Sequence, residues 1–271
     1  MSSRSPRENR CRWETNRMGN ILALAEKELK SYFASPIAYV IIGFFALVFG
    51  WFYVVSIDFF MRASLQMGMP GQGQVNINSM AIRPLLANVS VVALFVLPLI
   101  TMRTYAEEKR SGTIELLLTS PLTDFQIIMG KFLGAVGLYA LMMAVTLIHI
   151  AVLFIYGNPE WKPIVSGYLG LLLMGASFIS IGLLISSLTK NQIVAGMVTF
   201  AVLLLLWTIG WMQDSAGPNM QKVLQALSIT DRFDDFSKGV IDLKHVVYYL
   251  SFISFGLFLT AKSVDSERWR G

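Results

Sequence analysis

Apolar residues in this chain gather in six long runs, at residues 37–57, 84–102, 132–156, 164–188, 193–212 and 246–261, with polar segments between them. A helix rises about 1.5 Å per residue, so about 20 apolar residues cross the roughly 30 Å hydrocarbon core of a bilayer. The runs meet or approach that length; the last is the shortest and gains a turn if it begins at His245. Because lipid offers the backbone no hydrogen-bond partner, each run is expected to be a helix. The pattern therefore predicts an all-α polytopic membrane protein, with six transmembrane helices over residues 37–261.

The connecting segments have patterns of their own. Residues 21–33, ILALAEKELKSYF, place Ile21, Leu22, Ala25, Leu29, Tyr32 and Phe33 on one helical arc and Glu26, Lys27 and Lys30 on the other side. This predicts an amphipathic helix within residues 18–36, lying in the cytoplasmic interface. A simple extension of span one is the alternative, but Pro36 would remove a backbone bond from its middle. Ser35 reads as a cap and Pro36 as the first residue of span one. Residues 1–17 carry five arginines and few large apolar side chains, the composition of a disordered basic tail attracted to lipid headgroups. Met18 is a second candidate start.

In the loop at residues 103–131, span two is expected to continue as a helix through Arg110 and to break at Ser111-Gly112. A short helix over residues 113–119 follows, ended by Ser120-Pro121. Thr123-Asp124-Phe125-Gln126 fits a capping box, so the third spanning helix is expected to begin at Asp124. Ile114, Leu116, Leu117 and Leu118 are apolar groups in a cytoplasmic cap. They are covered either by a docked partner or by the inner ends of the chain's own spans. Glu107, Glu108, Lys109, Arg110 and Glu115 read as a solvated face or as the rim of an interface. Outside, residues 58–83 form a polar glycine-bearing loop. Residues 213–244 carry Met220, Val223, Leu224 and Leu227 at helical spacing, then Phe233, Phe236 and the turn Lys238-Gly239. That segment either dips into the outer leaflet as a hairpin or lies on it, with Asp231, Asp234 and Asp235 as a solvated cap or a substrate contact.

Composition agrees with the pattern. Only 14% of the residues are charged and 55% are hydrophobic, where a soluble domain carries about a quarter charged residues. With the N-terminus inside, the inner segments hold 15 of the 22 basic residues, so the net charge is +5 inside and 0 outside. Both termini are thus expected in the cytoplasm, with residues 262–271 as an inner tail. Trp161, Trp211, Tyr248 and Tyr249 map to the outer boundary, where amphipathic rings prefer to sit. The first run is too long for a secretory signal and reads as a retained anchor.

Several chemistries lack their parts. One cysteine, Cys11, and two distant histidines, His149 and His245, provide neither a disulfide framework nor a metal site. The six runs contain no Asp, Glu, Lys or Arg, so an ion-coupled carrier has no titratable machinery beyond His149. The one Gly-Lys pair, Gly130-Lys131, is followed by Phe132 and makes no phosphate loop. Ser177, Ser180, Ser186, Ser187 and Ser251 have no carboxylate with which to complete a catalytic triad and read as helix contacts. Gly130, Gly134 and Gly137, and Gly175 with Gly182, read as packing positions.

The segment FVLPLITMRTYAEEKRSGTIELLLTSPLTDFQIIMGK, residues 95–131, resembles the signature region of ABC-2-type permeases. Within that superfamily the chain looks most like the gliding-motility type, which shares starts resembling KELKSYFASPIAYV and last outer loops resembling DRFDDFSKGVIDLKHVVYYLS. The resemblance implies a non-catalytic permease subunit of an exporter in the bacterial inner membrane. Its coupling helix would lie between spans two and three, gripped by a dimer of a separate ABC ATPase that holds the ATP and magnesium. Glu107, Glu108, Gly112, Thr113, Glu115, Leu116, Leu117 and Pro121 match the motif; residues 114–118 are the expected anchor and Glu107, Glu108 and Glu115 its charged surround. Implied partners are a second permease copy, membrane lipid and a membrane-anchored periplasmic auxiliary protein; no nucleic acid is expected, and the chain itself needs no cofactor. The alternative from another class is a membrane scaffold that recruits a cytoplasmic partner without transporting anything.

Overall fold

The computed structural model of the chain describes residues 6–67, 76–115, 122–157, 159–212 and 217–268. Among them every regular element is helical: α1 (Pro6–Ala34), α2 (Pro36–Met67), α3 (Arg83–Thr101), α4 (Ala106–Ser111), α5 (Asp124–Tyr156), α6 (Trp161–Leu188), α7 (Gln192–Met212), α8 (Pro218–Leu227), α9 (Ile229–Ser237) and α10 (Leu243–Arg268). One π-helical turn, Asn78–Ile82, leads into α3. Six stretches, carried by α2, α3, α5, α6, α7 and α10, are long and apolar enough to cross a membrane, and each predicted span falls on one of them.

The most buried helices are α3 and α6, packed side by side with α5 along the middle of the bundle. Close approach needs small residues. A Cβ on Gly175 would stand 2.2 Å from the Tyr139 ring, and one on Gly182 would stand 2.1 Å from Thr101 Oγ1. Helices α2, α7 and α10 cover this centre and leave apolar faces outward, such as Phe44, Leu47, Trp51 and Val54 on α2. Lipid solvates such faces, so in a bilayer they carry no penalty.

Helix α1 packs along the first turns of α5. Its inward arc differs from the one read off the sequence: Leu24 is buried and Glu28 faces inward, while Leu22 is 62% exposed. The socket on α5 explains the difference. At Gly130 a Cβ would meet Leu24 at 2.7 Å, and at Gly134 it would meet Glu28 Cβ at 2.7 Å. Ala25, Leu29, Tyr32 and Phe33 are part-buried beside them. Helical backbone extends back to Pro6, into the segment read as a tail. The break before α2 follows the expected chemistry, with Ser35 Oγ accepting the Ile37 N–H at 3.4 Å.

On the opposite side of the bundle, α9 sits against α6, α7 and α3. Its Phe233 and Phe236 are buried over Gly170, and the Tyr249 hydroxyl donates to Ile229 O at 2.8 Å. A left-handed Gly239, φ 89°, then turns the chain toward α10. Asp234 on α9 pairs with Arg83 at the start of α3 and, at 2.6 Å, with Lys238. Burial works against its charge, but hydrogen bonds from Lys238 and Arg83 win and hold the carboxyl below the usual aspartate range.

Two tests follow from these contacts. Replacing Gly134 by Val drives a branched side chain into α1 and should destabilise the purified protein by about 1–3 kcal/mol, read as a lowered thermal midpoint. The Asp234 carboxyl is depressed in the folded state, so its contribution is complete above the ordinary value of about 4 and is lost as pH falls through the lower folded value. Melting curves taken from neutral to acid pH should therefore show an acid-side drop that Asp234→Asn flattens.

Candidate functional site

The motif-bearing loop begins where span two stops. A continuous helix through Arg110 was the expectation; instead α3 ends at Thr101, residues 102–105 form a turn, and α4 restarts at Ala106. Pro98 removes one backbone bond just upstream, and Thr101 Oγ1 bonds back to Leu97 O at 3.0 Å. The backbone groups released at the turn are met by Ser186 on α6. Its Oγ accepts the N–H groups of Tyr105 and Ala106, both at 3.1 Å, and donates to Met102 O at 3.1 Å.

Two buried lysines then fasten the restarted helix on both sides. Lys131 of α5, whose side chain is 1% exposed, donates to Glu28 Oε1 at 3.1 Å, Thr104 O at 3.1 Å and Glu108 Oε1 at 2.6 Å. Its ammonium also lies 5.2 Å from the centre of the Tyr105 ring. An ammonium has three N–H donors, and three acceptors surround this one. Lys131 thereby joins α1, the turn, α4 and α5. The Tyr32 hydroxyl, pushed up to about 12 by burial, stays protonated and donates to Ile100 O at 3.4 Å.

Lys109 of α4 does the same on the other flank. It donates to Ser187 O at 2.5 Å and to Glu267 Oε1 at 2.7 Å, binding α4 to the C-terminal ends of α6 and α10. Ser187 and Ser263, 2.9 Å apart at their hydroxyls, close the same corner. Each ammonium has a backbone carbonyl beside its carboxylate partner, which offsets part of the cost of taking its charge out of water.

Beyond this clamp the loop turns away. Gly112 caps α4 with φ 73°, a backbone state open to glycine at little cost. Arg110, Ser111, Gly112, Thr113 and Glu115 are exposed, and Ile114 is part-buried against the core. Leu116, Leu117, Leu118 and Pro121 lie outside the described residues. The loop re-enters at Thr123, whose Oγ1 accepts Gln126 N–H at 3.3 Å while Gln126 Oε1 accepts Thr123 N–H at 3.0 Å, the capping box read from the sequence.

The structure thus separates the predicted residues by position. Glu107 is paired with Arg103 at 2.9 Å, and Glu108 is turned inward to Lys131, while Thr113 and Glu115 face outward. Glu28 and Lys131 stood outside the predicted site, Lys109 is buried where a solvated face or interface rim was expected, and Ser186 makes the helix contact read for it. One signal was present: Glu28 sits at helical spacing from Leu24, Ala25 and Tyr32, a charge on an apolar face. Among the described residues, no group of three His, Cys, Asp or Glu side chains is placed to hold a metal.

Comparison with known proteins bears on this arrangement. A family model described as ABC-2 family transporter protein matches residues 63–230, which include the whole loop. The chain is 34% identical over 94 residues to the probable multidrug ABC transporter permease YbhR of Escherichia coli (strain K12), a stretch covering 35% of this chain and 25% of the relative. The match to YbhR of Escherichia coli O157:H7 has the same identity and coverage. The aligned region spans a quarter of the length of these curated relatives. Six apolar helices, the family match and the permease relatives fit a multi-pass protein of the bacterial inner membrane.

Replacing Lys131 by Met removes the cation that Glu28 and Glu108 share. Chemical denaturation should show a loss of about 3–5 kcal/mol, the usual cost of stranding a buried charge. The triple variant K131M/E28Q/E108Q should recover part of it; a triple variant no more stable than K131M would mean that the pairing energy has been misplaced.

Proposed function

This chain belongs to the ABC-2 family of transporter proteins, and on that footing we propose that it is the permease subunit of an exporter driven by a separate ABC ATPase. The observation that carries the reading is the clamped loop. Lys131 and Lys109 tie its first half to α1, α5, α6 and α10, so a push on the loop reaches the inner end of most spans. The anchor for the ATPase is residues 114–118, Glu115 being its charged member, with Gly112 and Thr113 just before it in sequence and Pro121 after it. Glu107 and Glu108 act from beneath, keeping α4 in register with the bundle.

In this reading ATP and magnesium bind the partner dimer, and this chain supplies no catalytic group. Closure of the ATPases moves the docked loops, and two copies of the permease rock against each other. Differential contacts in the two states set how far the equilibrium shifts. Export of a substrate and mechanical work across the membrane are both served by that motion. The resemblance of residues 27–40 and 231–251 to gliding-motility permeases supports a membrane-anchored periplasmic auxiliary protein as a further proposed partner.

The test is co-purification with a candidate ABC ATPase. Leu117→Asp and Ile114→Asp should each weaken the complex at least about tenfold, the loss expected when a buried interface anchor is removed, and should abolish stimulation of ATP hydrolysis in proteoliposomes. Unchanged complex formation and unchanged hydrolysis in both variants would overturn the docking assignment.

A further inference from the structure

Where α3 begins and α7 ends, at the opposite end of α3 from the motif-bearing loop, a cavity of about 640 Å³ lies between α3, α7 and α9. That volume falls in the size range of small-molecule sites. Trp207 and Trp211 meet edge to face on its wall, 4.5 Å between ring centres, with Val91 and Phe233 beside them. Such a wall suits hydrocarbon. Ser79, Arg83 and Ser237 line this cavity and also a second one of about 190 Å³, so the two adjoin.

The charges on these walls are matched. Arg83 pairs with Asp234, and Lys238 pairs with Asp234 at 2.6 Å and with Asp235 at 3.6 Å. Glu160, the remaining acid beside the second cavity, is exposed and solvated by water. Among the described residues of these walls no cation lacks an acid and no buried acid lacks a cation, so neither an anion nor a cation is called for.

Hydrogen-bonding capacity, by contrast, is not matched. A hydroxyl has one proton to donate, and three serines on the walls give theirs to the backbone: Ser79 to Asn76 O at 3.0 Å, Ser90 to Ala87 O at 2.6 Å and Ser237 to Asp234 O at 2.7 Å. Their oxygens are left as acceptors. Asn78, on the wall of the second cavity, is 8% exposed, and its Oδ1 has no hydrogen-bond partner among the described residues. A buried acceptor of this kind calls for a donor. These walls favour a guest that brings protons to donate and no net charge, which is the chemistry of an alcohol. The oxygens of such a guest can in turn accept from the Asn88 amide, which lines the larger cavity.

We propose that the adjoining cavities bind an uncharged amphiphile with a polyol head, its hydroxyls among Ser79, Ser237 and Asn78 and its hydrocarbon part against Trp207 and Trp211. The ligand enters from the surrounding leaflet, since Trp211 is 68% exposed in the last turn of α7. Binding of this kind belongs to the chain alone and does not depend on ATPase docking.

The test uses the purified full chain in lauryldimethylamine oxide, a detergent without hydroxyls. It is titrated with monooleoylglycerol, methyl oleate, oleate or oleylamine, which share one hydrocarbon chain, and retained probe is counted by native mass spectrometry. The wild type should hold monooleoylglycerol at least about tenfold more tightly than any of the others, a factor worth about 1.4 kcal/mol. Asn78→Leu should bring monooleoylglycerol and methyl oleate together. It should not lower the thermal midpoint of the ligand-free protein, because the acceptor it removes is buried without a partner. Asn88→Leu should weaken the preference independently, and Trp207→Ala should weaken retention of monooleoylglycerol and methyl oleate alike. Glycerol without a chain should displace neither. Equal retention of monooleoylglycerol and methyl oleate by the wild type would overturn the proposal, as would tighter retention of oleate or oleylamine. So would a preference that survives both asparagine substitutions, or displacement by chain-free glycerol at the same concentration. A loss confined to Asn78→Leu and accompanied by a lowered midpoint would overturn it as well, by marking Asn78 as structural.

Discussion

A lysine ammonium that cannot reach water must be ringed by acceptors, and Lys131 imposes that condition on four pieces of chain at once. Its three partners come from α1, the turn after α3, and α4, while it sits on α5 itself. None of the four has an equivalent alternative position, because a displaced acceptor would leave a charge buried without compensation. The inward turn of Glu28, the break in span two and the glycine socket under Leu24 are consistent with that single demand. The Ser186 hydroxyl completes the arrangement by meeting the backbone groups that the break exposes.

Lys109 gives the same corner a second fastening of different composition. Half of its coordination is a backbone carbonyl at the end of α6 and half is a carboxylate near the end of α10. A carbonyl moves only with its helix, whereas a glutamate side chain has rotamers to spare. The attachment to α6 is accordingly the stiffer one, and α6 is also the helix most enclosed by its neighbours.

Hydropathy alone located the six spans, since runs of this length have one stable answer in lipid, and short-range chemistry located several boundaries. Ser35 before Pro36, Thr123 with Gln126, and Gly112 after α4 are signals carried by two or three neighbouring residues, and the structure shows each of them in use. What stayed hidden depends on residues far apart in the chain. Leu22 and Leu24 are equally apolar, and only the glycines of α5 decide between them. Lys109 and Lys131 stand at the ends of spans, where a charge ordinarily meets water, so their burial could be read only with α1 and α10 in place. Residues 116–121, which hold most of the expected anchor, lie outside the described residues. The cavity beside Trp207 and Trp211 draws on helices separated by more than a hundred positions, and no local pattern announces it.

The reciprocal bonds between Thr123 and Gln126 bear on how α5 responds to tension. A helix under load unwinds first from an end whose amide protons are free, and here that end is closed by two hydrogen bonds. Traction arriving at residue 123 is therefore spent on tilting or sliding a rod 33 residues long, not on paying out slack from its first turn.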